Sequence, residues 1–253
     1  MRCTDCGFSF YNPRLENDEL QRLYESYRLP EYLEMRNSFE PWYTPKMNAE
    51  LASSSFYKKR RERLSKTLAP HLEGRQIRRV LDHGGDRGDL VAGLFPEAEA
   101  FVFDISGVAP ADGVKAVSDP TECAADLIIN SNVLEHVGFP LALAKQILDS
   151  AQADSLVFLE VPCEIPTGAY RVARRVAQIA VTTAMRPAKS SALMTPKALY
   201  LMHEHINYFT VRSLETLMKC AGGTIIAAGS YESSSVAGMA QFAWCLGTPE
   251  KRK

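Results

Sequence analysis

Short apolar runs alternate with helical stretches from Arg78 onward, and this pattern dominates the chain. The runs Ala100–Ile105, Asp126–Asn130 and Ser155–Val161 each have the length of a strand. Between the last two, Leu141–Ser150 has the spacing of a helix. Apolar strands that alternate with helices are typical of βαβ units, in which helices cover both faces of a parallel sheet. The pattern therefore predicts an α/β domain.

The two ends of the chain depart from this alternation. Residues 1–75 are rich in Tyr, Arg, Glu and Pro, and helical spacing recurs around Asp18–Tyr27 and Ala49–Leu68. This texture predicts a small helical cap. At the other end, a Ser-rich turn joins strand-like runs at Gly223–Tyr231 and Val236–Leu246, which predicts an antiparallel hairpin.

Composition and charge narrow the function classes. The chain has 253 residues, with 29 Lys and Arg against 30 Asp and Glu, so its net charge is −1. This balance does not favour nucleic acid as a partner. No apolar stretch approaches the roughly 20 residues of a membrane span, and the pattern of the first residues leads us to expect no signal peptide. The six cysteines are too scattered for a disulfide scaffold, so we expect a cytoplasmic protein.

A glycine-rich turn follows the first apolar strand of the main domain. It reads Asp82-His-Gly84-Gly85-Asp86-Arg-Gly88, and a helix is expected to start near Asp86–Asp89. Such a turn lets the backbone approach a ligand closely, and a helix start adds free N–H donors. Asp104, at the end of the next strand, has the chemistry to bind both hydroxyls of a ribose. Two interpretations stay open. The segment is either a tight structural turn in which an acid caps the helix, or a loop that binds a nucleoside cofactor.

Three segments resemble motifs of the class I S-adenosylmethionine-dependent methyltransferases, in their small-molecule branch. The glycine turn is similar to the D/E-x-G-x-G-x-G motif of that family, and Asp104 matches its ribose-binding acid. Asp126–Val137 ends in Leu-Glu-His-Val and is similar to the motif of the fourth strand. His203–Thr210 resembles a further segment of the branch. The resemblance implies a Rossmann-like α/β fold, with a mostly parallel seven-stranded sheet, helices on both faces and an N-terminal helical cap.

The resemblance also implies the cofactor and its contacts. S-adenosylmethionine would be the methyl donor and S-adenosylhomocysteine the product. Asp82 would lie near the amino group of the cofactor and Asp104 would hold the ribose. The residues after the third strand would contact adenine, and those at the end of the fourth strand would face the methionine portion. The implied cofactor-binding residues are Asp82, Gly84, Gly85, Gly88, Asp104, Ile105, Ser118, Asp119, Asn130 and Ser131.

One residue departs from the family pattern. Asp86 stands where the family usually has its middle glycine, and its side chain either crowds the cofactor or caps a helix. The leading hypothesis is methyl transfer to a small molecule such as a sugar, a glycan precursor or a secondary metabolite. The alternative is a non-catalytic cofactor-binding or scaffold protein of the same fold.

Four side chains are candidates for the base that removes a proton from the acceptor: His136, His203, Glu204 and His205. A histidine beside a carboxylate is a suitable proton acceptor near neutral pH. The alternatives are a structural histidine at position 136 and a hydrogen-bonding anchor at positions 203–205. A His-x-His pair alone does not indicate a metal, so no metal site is predicted.

The N-terminal cysteines have the spacing of half a zinc site. Cys3-Thr-Asp-Cys6-Gly7 resembles the second half of a paired Cys-x-x-Cys module that precedes related methyltransferases. Because a zinc site of this type needs four ligands, we interpret the segment as a vestigial, reduced knuckle without zinc.

The cap and the insertion leave several interpretations open. Aromatic and basic residues of the cap either bind a sugar or phosphate or pack on the main domain. The main domain, residues 76–253, contains an insertion at 164–200 that is a lid over the acceptor, a homodimer contact or an interfacial membrane segment. Its place after the fifth strand favours the lid, because the family varies acceptor recognition there. The cap residues concerned are Tyr24, Tyr27, Arg28, Tyr32, Arg36, Trp42 and Tyr43.

Overall fold

The structure is a computed structural model. It describes residues 1–12, 18–19, 22, 29–39, 44–163, 173, 176, 180, 184, 204–235 and 238–250. The helices are α1 (Pro30–Phe39), α2 (Pro45–Leu51), α3 (Ser54–Leu68), α4 (Pro140–Ser150) and α5 (Val211–Cys220). The strands are β1 (Ser9–Phe10), β2 (Arg79–His83), β3 (Glu99–Phe103), β4 (Val114–Ala116), β5 (Leu127–Ser131), β6 (Leu156–Pro162), β7 (Asn207–Tyr208), β8 (Gly223–Ser235) and β9 (Gly238–Pro249).

Seven strands form the main sheet, in the order β4-β3-β2-β5-β6-β9-β8. The pairs among β2 to β6 are parallel, whereas β9 runs antiparallel to both β6 and β8. Every residue of β5 and β6 is buried, as their continuous apolar sequences require in a sheet covered on both faces. The predicted Rossmann-like fold and the C-terminal hairpin are confirmed.

Helices cover both faces of this sheet. On one face, α4 and α5 pack their apolar sides against the strands through residues such as Ile147 and Leu214. On the other face, Leu64 and Leu68 of α3 pack with Leu127 and Phe158 of the sheet. Because α3 precedes the first strand of the sheet, the N-terminal region supplies part of the core. The cap boundary near residue 75 stays a prediction.

Two predicted helices take a different form. Residues 86–94 form consecutive turns instead of the helix expected near Asp86–Asp89. Asp86, Gly88 and Gly93 have φ values of 58°, 76° and 69°, which interrupt a right-handed helix. The helical spacing of Ala49–Leu68 is split between α2 and α3, because Ser53 caps α3 by accepting a hydrogen bond from the N–H of Phe56.

The first residues of the chain dock beside the main sheet. β1 pairs antiparallel with β7, with Ser9 opposite Tyr208. Cys3 and Cys6 are free cysteines in the turn before β1, and the Thr210 hydroxyl donates to the carbonyl of Cys6 at 2.8 Å. The knuckle is therefore held against the segment that carries β7.

Two predictions fall mainly outside the described residues. The helix predicted over Asp18–Tyr27 is described only at Asp18, Glu19 and Arg22, which are helical. The insertion at 164–200 is described at four isolated positions, so its three interpretations stay open. A search of the described part of the chain for a helix with the length and hydropathy of a membrane span found none.

Candidate functional site

The carboxyl end of β2 carries a buried carboxyl group, that of Asp82. The residue is 2% exposed, and its Oδ2 atom has no hydrogen-bond partner among the described residues. Burial raises the pKa of Asp82 to about 7, and the positive charge of Arg60 opposes this shift. Because a buried polar atom without a partner costs free energy, this position suits a polar ligand group.

Three glycines shape the turn around Asp82. A Cβ atom at Gly85 would lie 2.0 Å from Cγ of Asp82, so the absent side chain makes room for the carboxyl group. At Gly84, where φ is +76°, a Cβ atom would lie 2.8 Å from Cγ2 of Val133. Gly88 also has a positive φ, of 76°. Any larger residue at these positions would displace the side chains that surround the turn.

Asp104 joins the glycine turn to the end of β3. Its Oδ2 accepts a hydrogen bond from the N–H of Asp86 at 2.7 Å, and its Oδ1 accepts one from the N–H of Ser106 at 2.8 Å. Asp86 has a φ of 58°, in the left-handed region that glycine adopts freely and aspartate tolerates. Asp86 therefore takes the type of backbone conformation that a glycine would supply there.

The residues predicted to contact adenine lie at the surface. Ser118 and Asp119 are exposed beyond β4. Asp119 Oδ1 accepts hydrogen bonds from the backbone N–H and the hydroxyl of Thr121, at 2.8 and 2.7 Å, and these bonds lower the pKa of Asp119. Ile105, next to Asp104, is 77% exposed and offers an apolar surface on which a flat ring can pack.

The end of β5 belongs to a buried polar network. Asn130 donates from Nδ2 to the carbonyl of His83 at 2.8 Å, while its Oδ1 has no partner in the described part of the chain. The Ser131 hydroxyl donates to Oε1 of Glu160 at 2.6 Å and accepts from Nη2 of Arg60 at 2.7 Å. Sequence reasoning missed Arg60 and Glu160. Glu160 could have been found from the sequence, because it is a single acidic residue within an otherwise apolar strand.

A second buried cluster lies where Glu204 meets α1. Glu204 accepts a hydrogen bond from the hydroxyl of Tyr32, and its Oε1 lies 3.0 Å from Nη1 of Arg36. Nδ1 of His136 lies 3.3 Å from the carbonyl oxygen of Glu204. The rings of His136 and His205 meet edge to face, with centroids 4.7 Å apart. The structure thus brings together three of the four predicted bases, whereas His203 lies outside the described residues.

The histidines of this cluster are held rigidly. The backbone N–H groups of Ile206 and Asn207 both donate to the carbonyl of Glu135, at 2.9 and 3.0 Å, which ties the His136 segment to the His205 segment. Burial lowers the pKa of His136 well below its ordinary value, and His205 acts in the same direction. The lowered pKa favours the neutral form of the His136 ring.

The same cluster has donor atoms that suit a metal ion. Glu135, His136 and His205 each offer one ligand atom, and these atoms lie within 4.8 Å of one another. Two imidazoles and a carboxylate form a donor set that divalent transition metals accept. The same groups are also the usual components of an acid–base site.

Comparisons with known proteins find the same fold in two solved structures. The chain is similar to a structure of Burkholderia thailandensis 1,6-didemethyltoxoflavin-N1-methyltransferase with bound 1,6-didemethyltoxoflavin and S-adenosylhomocysteine, with a TM-score of 0.57 and 15% identity over 97% of each chain. It is also similar to the mitomycin 7-O-methyltransferase MmcR, with a TM-score of 0.51 and 13% identity over 90% of this chain and 60% of that one. A search of curated proteins found no match.

At these identities the structural likeness concerns the fold. The family is shown by a sequence model described as a methyltransferase domain, which matches residues 52–228. Because the match covers more than half of the chain, this protein belongs to the methyltransferase domain family.

Proposed function

We propose that the chain transfers a methyl group from S-adenosylmethionine to a small-molecule acceptor, with the cofactor bound at the carboxyl ends of β2, β3 and β5. The observation that carries this proposal is the buried Asp82 carboxyl group, whose Oδ2 has no partner among the described residues. The α-ammonium group of the cofactor's methionine portion would provide that partner. Asn130 Oδ1 and Asn132 Oδ1 also lack partners in the described part of the chain and line the same strand end.

The remaining cofactor contacts follow from the same site. The carboxylate of Asp104 accepts a hydrogen bond on each oxygen and keeps lone pairs for the two ribose hydroxyls. Ile105 would pack on the adenine ring, with Ser118 and Asp119 at its edge. Gly84 and Gly88 would give the ligand access to the backbone. The neighbour crystallised with S-adenosylhomocysteine supports this choice of cofactor.

We assign proton acceptance to the histidine pair beside Glu204. S-adenosylmethionine, when bound, would supply a methyl group on its sulfonium sulfur, and the electron pair of the broken S–C bond would stay on sulfur in S-adenosylhomocysteine. The acceptor's proton would pass to His205 or His136. Glu135 Oε1 lies 3.7 Å from Nε2 of His136, close enough to stabilise an imidazolium. Glu204, held by Tyr32 and Arg36, would orient the segment that carries His205.

The acceptor class is a sugar, a glycan precursor or a secondary metabolite. The net charge of only −1 and the 1,6-didemethyltoxoflavin bound in the similar Burkholderia thailandensis structure support a small-molecule acceptor. The cytoplasmic location and the absence of a nucleic-acid partner stay predictions.

Calorimetric titration of the full chain with S-adenosylhomocysteine tests the cofactor site. We expect saturable binding that is lost in Asp104→Asn. Asp126→Asn is the matched control, because Asp126 also accepts two backbone hydrogen bonds, from Arg78 and Arg79, but at the opposite end of the sheet. Absence of binding by the wild type at millimolar ligand, or equal affinity of both variants, would contradict the proposal.

A methyl-transfer screen tests the acceptor and the base. Labelled S-adenosylmethionine is offered with sugar nucleotides, lipid-linked glycans and hydroxylated aromatic compounds. For an acceptor that is methylated, His205→Ala should lower kcat by about 10²- to 10⁴-fold while binding of S-adenosylhomocysteine is kept. His71→Ala, a histidine outside the cluster, should leave kcat unchanged. An unchanged kcat in His205→Ala would remove His205 from the mechanism.

A further inference from the structure

Arg60 of α3 reaches across to the strand ends that carry the candidate cofactor site. Its Nη2 donates to the hydroxyl of Ser131 at 2.7 Å and lies 3.6 Å from Oε1 of Glu160. Ser131 ends β5, and its side chain alternates with that of Asn130 and is on the face of the sheet that α3 covers. The guanidinium group is thus held at the end of β5 by groups of the main sheet.

Glu160 depends only partly on Arg60. Oε1 of Glu160 accepts the hydrogen bond of Ser131, and Oε2 accepts one from the hydroxyl of Tyr231. The distance of 3.6 Å between Arg60 and Glu160 is longer than a hydrogen bond. Since a guanidinium has several N–H donors and the hydrogen bond to Ser131 uses one of its nitrogens, Arg60 can bind a further anionic group.

Arg60 and Asp82 place opposite charges on the same face of the sheet, because Asp82 alternates with Leu81 and shares with Val80 the face that α3 covers, and it pairs with Ile129, two residues before Ser131. Among the charged groups that act on Asp82, Arg60 is the one that favours its ionised form, whereas Asp104, Asp86 and Asp89 oppose ionisation. A guanidinium at the end of β5 and a carboxyl group at the end of the neighbouring strand β2 match the two charges of an α-amino acid. An α-ammonium group pairs with the carboxylate, and an α-carboxylate pairs with the guanidinium.

We propose that Arg60 binds the α-carboxylate of the cofactor's methionine portion, opposite Asp82, which binds the α-ammonium group. The inference rests on the proposed cofactor and adds a binding residue that lies outside the sequence motifs. It makes α3 a wall of the cofactor site. It also makes the site selective for donors that keep the carboxylate.

The test measures binding of two ligands that differ only in that carboxylate. Calorimetry compares S-adenosylhomocysteine with its decarboxylated analogue S-adenosyl-3-thiopropylamine. The wild type should prefer S-adenosylhomocysteine by about 10- to 100-fold, the value of a charge-assisted hydrogen bond or ion pair. In Arg60→Gln the preference should vanish, because the affinity for S-adenosylhomocysteine falls while that for the analogue stays. Lys59→Gln, an exposed charge on the same helix, should keep the preference.

The outcomes separate this inference from the proposed function. If the wild type binds neither ligand, the proposed cofactor is wrong. If it binds both equally, or if Arg60→Gln weakens both equally, Arg60 serves only to neutralise Glu160 and the inference is overturned. Should Arg60→Gln fold poorly, Arg60→Lys decides instead, and a preference equal to that of the wild type in Arg60→Lys would overturn the inference. Arg60→Lys, which keeps the charge but loses the planar fork, should retain part of the preference.

Discussion

Glu160 and Glu204 are two buried glutamates with similar partners and different surroundings. Each accepts a hydrogen bond from a tyrosine hydroxyl and pairs with an arginine of an N-terminal helix. The pair of Arg36 with Glu204 is close, at 3.0 Å, with side chains 5% and 7% exposed. The pair of Arg60 with Glu160 is looser, at 3.6 Å, and the side chain of Arg60 is 15% exposed.

The difference separates two uses of a buried ion pair. The short pair of Arg36 and Glu204 holds α1 against the segment that carries His205. The looser pair keeps the guanidinium of Arg60 at the edge of a site, where a ligand can add a further contact. Asp82 is a third buried carboxyl group, and its Oδ2 has no hydrogen-bond partner among the described residues. The comparison predicts that loss of Arg36 affects folding most, and loss of Arg60 affects ligand binding more.

The largest expected effect is on the free energy of unfolding of Arg36→Ala. The substitution leaves Glu204 buried without its cation, which costs about 3–5 kcal/mol. Chemical denaturation followed by circular dichroism measures the loss. The control is Lys115→Ala, which breaks an exposed pair with Glu99 and should change stability little. If both variants unfold at the same denaturant concentration, the short buried pair is not an anchor.

Asp82→Asn should raise the stability of the ligand-free protein above neutral pH. The pKa of Asp82 is raised by burial from 3.8 to about 7, so the folded protein binds an extra proton between these values. The stability that this proton supplies is lost as pH rises through the window. The amide of Asp82→Asn is neutral at every pH, so the variant does not lose this stability as pH rises.

Denaturation at several pH values measures this difference. The advantage of Asp82→Asn should grow from near zero at about pH 4 to at most about 4 kcal/mol at about pH 8. A constant difference across the range would mean that Asp82 does not titrate in this window. The same variant should bind S-adenosylhomocysteine more weakly, because the amide cannot pair with the ammonium group.

A smaller effect on stability is expected for Arg60→Ala. Ser131 and Tyr231 still donate to Glu160 in this variant, so the loss should be about 1–3 kcal/mol and below that of Arg36→Ala. The same denaturation experiment measures it. A loss equal to that of Arg36→Ala would erase the distinction between the two pairs.

The smallest effects on the free energy of unfolding are expected when the hydroxyl groups of the two tyrosines are removed. Tyr32→Phe and Tyr231→Phe each remove one hydrogen bond to a buried carboxylate, at a cost of about 1–2 kcal/mol. Their kinetics should differ. Tyr32→Phe should lower kcat through the His205 segment, whereas Tyr231→Phe should raise KM for the donor. Identical kinetic profiles would argue against separate roles for the two clusters.

The sequence predicts the centre of the sheet well because β5 and β6 are buried on both faces. Runs such as Asp126–Asn130 and Ser155–Val161 are apolar almost throughout, which is typical of a strand buried on both faces. The structure places β5 and β6 there. The turn after Asp82 was predicted less well. A capped helix start and a series of turns share the same residues, and the positive φ of Asp86 is set by its tertiary hydrogen bond to Asp104.

The candidate site is harder to predict because its partners come from distant segments. Tyr32 and Arg36 lie four positions apart on one helix, which predicts a shared face. Their partner Glu204 is 172 positions from Tyr32, and no periodicity in the sequence joins them. Glu160 interrupts an apolar strand and could have been noticed. Its pairing with Arg60 depends on how α3 packs on the sheet.

The docked knuckle gives the protein a natural place for a spectroscopic reporter. Hydrogen bonds from the backbone of Cys6 and Asp5 lower the pKa of the exposed Cys3 thiol, which favours its reaction with thiol reagents. Burial raises the pKa of Cys245 to about 12, and that thiol should stay unlabelled. With Cys220, Cys6 and Cys163 replaced by serine, a fluorophore on Cys3 would lie in the segment before β1, the strand that pairs with β7. Its signal would report, in real time, movement of the segment that carries His205.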